Sequence, residues 1–211
     1  MTSRIGVYGG MFDPVHNGHI KAASFAASLL DLDQVRLTPC SVPNHRDPAI
    51  ATSEQRVRML ELATSGRPKL HVDQRELQRP GVSYTTETLR SISEEFSART
   101  LVLILGLDSF NSIPSWHQWP ELFELAHLFV LNRSGGELDA AVCEQLDFEE
   151  RSVEEPLQLF ENENGGIYFA QDFDIDLSSS VVRDRLRANE ETARMLDGKV
   201  SLYIDDNKLY R

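Results

Sequence analysis

The chain has 211 residues, of which 41% are hydrophobic and 26% charged, a balance that suits one well-cored globular domain and excludes disordered and fibrous classes. A formal charge of −12 argues against a general basic surface for nucleic acid and directs attention to small anions met in a locally cationic pocket. Cys40 and Cys143 lack metal-type or disulfide-scaffold spacing, and the N-terminus shows no charged leader with a long apolar core, so a soluble chain in a reducing, cytoplasmic compartment is expected.

The first predicted strand is Ile5 to Tyr8, followed directly by Gly9-Gly10-Met11-Phe12-Asp13-Pro14-Val15-His16-Asn17-Gly18-His19. Gly9 and Gly10 lack Cβ, so the backbone can turn sharply and approach a ligand that a side chain would exclude. Asp13 and Pro14 favour a turn before the periodic stretch His19, Ile20, Ala23, Phe25, Ala26 and Leu29, which predicts a helix with Asn17 as its N-cap. On that first turn His16 and His19 share a face beside unpaired N–H groups and the positive end of the helix dipole, where imidazoles can donate to a polyphosphate. Taken singly, paired glycines mark a turn, and two histidines near a helix start are solvated or bind metal. The combined string is far more specific, and it fits neither the dinucleotide fingerprint Gly-x-Gly-x-x-Gly nor the P-loop, whose Lys-Ser/Thr ending is absent.

A second strand, Val35 to Thr38, leads into Pro39-Cys40-Ser41-Val42-Pro43-Asn44-His45-Arg46, a loop with a cationic end. Ser53 with Arg56, Val57, Leu60 and Leu62 opens a helix; Leu70 to Val72 reads as a third strand. Glu76-Leu77-Gln78-Arg79 precedes Ser83-Tyr84-Thr85-Thr86-Glu87-Thr88-Leu89, where Ser83 or Thr85 starts a helix carrying Leu89, Ile92 and Phe96. The fourth strand, Leu101 to Leu105, lies in the most apolar run, Leu101 to Leu107, which is far shorter than a bilayer span, and no membrane partner is expected. It ends in Gly106-Leu107-Asp108-Ser109-Phe110, and Pro114-Ser115-Trp116-His117-Gln118-Trp119 follows.

A helix over Glu121 to Ala126, a strand from Leu128 to Leu131 and then Arg133 come next. From Glu137 to Glu163 ten acidic residues face one basic residue, Arg151, which reads as a solvated surface excursion. Ile167 to Ala170 is the last strand, and Asp176-Leu177-Ser178-Ser179-Ser180-Val181-Val182-Arg183 opens an amphipathic pattern with Val182, Leu186 and Met195, its serines suited to capping. His71 and His127, in strand contexts, read as structural, and Trp119 as core. The alternation implies an α/β fold, a Rossmann-like parallel sheet with helices on both faces, whose ligands sit beyond the carboxyl ends of the strands. With no internal repeat or linker, a single domain over 1–211 is expected, with an acidic variable excursion at about 134–166.

His16-Asn17-Gly18-His19 resembles the (H/T)xGH nucleotidyltransferase signature, within the longer Gly-Gly-Ser/Thr-Phe-Asp-Pro-x-His-x-Gly-His of adenylyltransferases. Met11 departs from it, standing where Ser or Thr is usual, so a hydroxyl contact to phosphate gives way to the Met11 backbone N–H. Leu177, Ser178 to Ser180 and Arg183 resemble the superfamily's late Ile-Ser-Ser/Ala-Thr-x-x-Arg element, with Ser180 in place of Thr. The loop at Pro39 to Arg46 resembles the Pro-x-x-x-Pro-Pro-His-Arg loop of bacterial nicotinate-nucleotide adenylyltransferases, Asn44 replacing the second Pro of the pair. Ser83 to Leu89 resembles that family's Ser-Tyr-Thr-x-x-Thr-Leu segment, and Gly106 to Asp108 and Trp116 its Gly-x-Asp and Trp elements. The resemblance runs from Ile5 to Arg211 and is weakest over the acidic excursion.

It implies a nucleotidyltransferase fold and transfer of the adenylyl group of ATP to nicotinate mononucleotide, releasing pyrophosphate and forming deamido-NAD. Gly9, Gly10, Met11, Phe12, Gly18, Gly106, Asp108, Ser178, Ser179 and Ser180 would meet ATP and its phosphates. His45 and Arg46 would hold the mononucleotide phosphate, and Tyr84, Thr85, Trp116, His117 and Arg133 its nicotinate side. His16, His19 and Arg183 would stabilise charge at the α-phosphate and leaving pyrophosphate, with Mg²⁺ shared between phosphates. No activated Ser, Cys or Lys nucleophile is evident, so the already anionic mononucleotide phosphate would attack directly. The partners implied are ATP and nicotinate mononucleotide, with no nucleic acid, on a monomer or weak homo-oligomer. Three other readings stay open: a pantetheine-phosphate adenylyltransferase, whose chains are shorter and lack the Tyr84-Thr85 and Trp116 elements; a nicotinamide-mononucleotide-preferring enzyme; and a non-enzymatic nucleotide sensor, supported only by Met11.

Overall fold

Seven strands form one sheet: β1 Arg4–Gly10, β2 Gln34–Pro39, β3 Leu70–Val72, β4 Thr100–Gly106, β5 His127–Leu131, β6 Ser152–Val153 and β7 Ile167–Ala170. The computed structural model describes residues 3–41, 48–96, 100–132, 136–171, 173 and 177–211. Every neighbouring pair is parallel, in the order β3-β2-β1-β4-β5-β7-β6. The helices are α1 Asn17–Leu29, α2 Ser53–Thr64, α3 Arg75–Gln78, α4 Thr85–Phe96, α5 Leu107–Asn111, α6 Leu122–Leu125, α7 Ala140–Gln145, α8 Phe148–Arg151, α9 Ser179–Arg187 and α10 Gly198–Asp206. Among the described residues no helix is long and apolar enough to cross a membrane.

The two-residue period of the strands divides the core between the faces of the sheet. On β4, Val102 and Ile104 join Ala23 and Ala26 of α1, Met59 and Leu60 of α2, and Ile204 of α10. Leu101, Leu103 and Leu105 point the other way, into a cluster with Ile5, Val7, Leu89, Ile92, Phe110 and Leu122. Both faces are covered, which is why these strands read as nearly continuous apolar runs. From β1 the chain passes to β2 and β3 on one side, whereas from β4 it passes to β5 and β7 on the other. The carboxyl ends of β1 and β4 therefore flank a topological switch point, where the two flanking connections diverge and leave a crevice.

Three local expectations are corrected. The N-cap of α1 is His16, not Asn17: the His16 Nδ1 accepts from the His19 N–H at 3.4 Å, doing with an imidazole what an Asn side-chain oxygen does at this position. Asn17 enters the first turn and donates through Nδ2 to the Arg194 carbonyl. The acidic segment is more than a solvated excursion, since it contributes the edge strand β6 and buries Leu146 and Leu159. Finally, α9 ends at Arg187, and Met195 lies beyond it, its carbonyl accepting from the Asn17 N–H at 2.7 Å.

Candidate active site

The crevice opens into a cleft of about 820 Å³, within the usual range for a small-molecule site. Gly9, Gly10 and Met11 at the end of β1 and Gly106 and Asp108 at the end of β4 form its floor, and the first turns of α1 and α9 stand over it. A Cβ on Gly9 or Gly106 would meet no protein atom within 4 Å, so packing does not require glycine there; what both leave clear is the cleft. Gly10 differs, because its Cβ would stand 3.2 Å from the Phe12 ring. That ring is buried, edge-on to His19 with centroids 5.0 Å apart.

His16 and His19 lie together at the start of α1. Their rings stack with centroids 3.7 Å apart, and they form a reciprocal capping box in which the Nδ1 of His19 accepts from the His16 N–H at 3.2 Å. Both Nδ1 atoms are thus occupied as acceptors. In each neutral ring the proton then resides on Nε2, which makes Nε2 the donor atom of the ring.

Arg183 also lines the cleft, but it is partly committed: its Nη1 donates to the Asp13 carbonyl at 2.6 Å. Ser179 Oγ donates to the Pro14 carbonyl at 3.0 Å, and Ser178 caps α9 by accepting from the Val181 N–H. The late element is therefore fastened to the early loop before any ligand arrives. Asp13 completes this fastening, its buried carboxylate accepting from the Ile50 N–H at 2.7 Å, the Ala51 N–H at 3.1 Å and the Tyr210 hydroxyl at 2.6 Å. Burial, with the Asp13 hydrogen bond after it, pushes the Tyr210 phenol well above its ordinary value and keeps it a donor.

Further along the cleft, Tyr84 and His117 are in ring contact at 4.2 Å, and Thr85 and Trp116 line the same region. The Trp116 indole N–H donates to Ser112 Oγ at 3.0 Å, which fixes the ring plane at the cleft edge. Trp119 is half-buried against Phe123, away from the cleft lining. His45, Arg46 and Arg133 lie outside the described residues.

A cytidylyltransferase-like family model matches residues 7–185. Over 207 residues, 98% of this chain and 99% of the relative, the chain is 40% identical to a protein of Methylococcus capsulatus named "Probable nicotinate-nucleotide adenylyltransferase". The chain belongs to the nicotinate-nucleotide adenylyltransferases. A relative of the same name from Pseudomonas syringae pv. tomato is 38% identical, with 100% of this chain and 95% of the relative aligned. In fold, this adenylyltransferase is similar to the Plasmodium falciparum nicotinic acid mononucleotide adenylyltransferase solved with NaAD, with a TM-score of 0.73 at 17% identity, covering 99% and 97% of the two chains.

Three residues of this adenylyltransferase site escaped sequence reasoning. Glu76 is 7% exposed yet lines the cleft beside Tyr84, and accepts from the Thr88 hydroxyl at 2.8 Å; burial raises its carboxyl pKa, against the bonds from Thr88 and Ser83. Tyr210 anchors Asp13 from the far end of the sequence. Arg56 lies 1% exposed beneath the loop, its Nη1 donating to the Met11 carbonyl at 2.8 Å and its Nη2 to Ser53 Oγ at 3.3 Å. A signal for Arg56 existed: it sits four residues before Leu60 and seven before Ala63, on the buried face of α2.

Proposed function

We propose that the chain transfers the adenylyl group of ATP to nicotinate mononucleotide, releasing pyrophosphate and forming deamido-NAD, within one domain that holds both substrates. The observation that carries this reading is a cleft at the β1/β4 switch point with an imidazole pair on the first turn of α1 and the Tyr84, His117 and Trp116 rings along its wall. ATP would lie with its phosphates against Gly9 to Phe12, the Nε2 atoms of His16 and His19 and the first turn of α9, and with Gly106 and Asp108 near its ribose. The nicotinate ring would stack on Trp116 with Thr85 toward its carboxylate, Tyr84, His117 and Arg133 beside it, and His45 and Arg46 on the mononucleotide phosphate.

The mononucleotide phosphate is already an anion and needs no general base, so what this chain supplies is alignment and charge stabilisation. His16, His19 and Arg183 would donate to oxygens that gain charge as pyrophosphate departs, and Gly9 and Gly106 would let the reacting groups approach in line. Among the described residues no cluster of three or more His, Cys, Asp or Glu side chains could cage a metal. Mg²⁺ would be carried on the triphosphate, and Asp108 is one of the carboxylates that line the cleft, with Asp13 and Glu76. When bound, the ion would neutralise phosphate charge.

The test is pyrophosphate release from ATP with the nicotinate and nicotinamide mononucleotides in parallel. Release with the acid preferred is expected, and a folded His19→Ala protein should lose roughly 10²-fold or more in turnover. A clear preference for the amide, or ATP binding without release, would refute the reading.

A further inference from the structure

A fully buried guanidinium needs compensation, because desolvating a charge costs several kcal/mol unless hydrogen bonds and an opposite charge offset it. Arg56 is incompletely compensated. Its two hydrogen bonds go to neutral acceptors, the Met11 carbonyl and Ser53 Oγ, and its buried Nε has no partner. Asp13 acts on it through space, but that carboxylate spends its lone pairs on Ile50, Ala51 and Tyr210, while Arg183 donates to the Asp13 carbonyl of the same loop. Around Met11 to Pro14 two guanidiniums thus face one carboxylate. Desolvation lowers the pKa of Arg56, against the pull of Asp13.

The position of this cation matters. The Met11 carbonyl that it holds shares a peptide with the Phe12 N–H, and drawing electron density toward the carbonyl oxygen makes that N–H a stronger donor. The Phe12 ring is buried against Tyr8 and His19, which leaves the backbone as the part of the residue that would meet a ligand.

We propose that Arg56, which lines no part of the cleft, is a positioning residue for phosphate binding: it polarises the Met11–Phe12 peptide and supplies buried positive charge beneath the loop, and a bound polyphosphate completes its compensation. This rests on the placing of the triphosphate against that loop. Its consequence is that Arg56 recognises charge on the ligand and is indifferent to the adenine and ribose.

Calorimetric titration of the full chain with ATP and with adenosine separates this from a merely structural role. Arg56→Gln keeps a neutral donor for the Met11 carbonyl and removes the charge; ATP affinity should fall roughly tenfold or more while adenosine affinity stays within about twofold. Arg56→Lys keeps the charge, and its ratio of ATP to adenosine affinity should remain within about threefold of the parent chain. Equal losses for both ligands, or unchanged ATP binding in Arg56→Gln, would overturn the proposal. Should Arg56→Gln fail to fold, Arg56→Lys decides alone: a retained ratio supports the proposal and a collapsed one overturns it. A parent chain that binds ATP but releases no pyrophosphate refutes the proposed reaction and leaves this comparison standing.

Discussion

At the scale of single residues, the two adjacent glycines of the first motif separate function from packing. Gly9 has open cleft where a Cβ would be, and its backbone is of a kind that alanine adopts, so Gly9→Ala should change stability by less than about 0.5 kcal/mol. The same substitution places a methyl where phosphate is expected, and kcat/KM should fall roughly tenfold or more. Gly10→Ala pushes on the Phe12 ring at 3.2 Å and should cost about 1 kcal/mol in the unfolding free energy, visible as a lowered Tm. Thermal melts alongside steady-state assays of the two variants check this; equal stability loss in both would show that Gly9 is packed after all. Met11 is also clearer at this scale. Its carbonyl is held by Arg56, a contact that any side chain at the position allows.

At the scale of elements, the acidic segment is held by its lone basic residue. The Arg151 guanidinium lies over the Phe123 ring at 4.4 Å and donates to the Gly165 carbonyl at 3.4 Å, drawing α8 and the turn before β7 onto α6. Gly165 has φ +84°, and a Cβ there would stand 2.9 Å from the Phe123 carbonyl oxygen. Gly165→Ala should therefore cost roughly 2 kcal/mol or more, measured by denaturant unfolding, and a loss below about 0.5 kcal/mol would show that the turn can relax. Sequence periodicity located β1 to β5 and β7 because each is a short run rich in apolar residues, and β4 and β5 bury both faces. It missed β6, whose two residues sit in an acidic run and have no periodicity to read. The cleft's glycines, imidazoles and aromatic wall were legible because motifs carry them, whereas Glu76, Arg56 and Tyr210 were not: a buried charge held by distant partners looks, in sequence, like any solvated one.

At the scale of the whole molecule, two buried titratable groups set opposite pH dependences of stability. His127 is fully buried, and desolvation lowers its pKa from 6.5 to about 4, while its Nδ1 accepts from the Gly166 N–H at 3.1 Å. Between those values the unfolded chain binds the proton and the folded chain does not, so stability falls as pH falls, by about 3 kcal/mol across the window. Glu76 has a raised pKa, so it binds its proton more firmly when folded, and its contribution is lost as pH rises above 4.5 through the folded value. Unfolding free energies of the parent chain and His127→Gln from pH 7 to 4 should converge on the acid side, and parallel curves would show that His127 carries no such linkage. The contact between Tyr210 and Asp13 closes a loop of 197 residues around the entire sheet. It ties the loop that follows β1 to the segment that follows α10. Opening of the segment at Tyr210 leaves the Asp13 carboxylate with two of its three anchors, the Ile50 and Ala51 N–H groups, so fraying at residue 210 is felt at once in a loop far away in sequence.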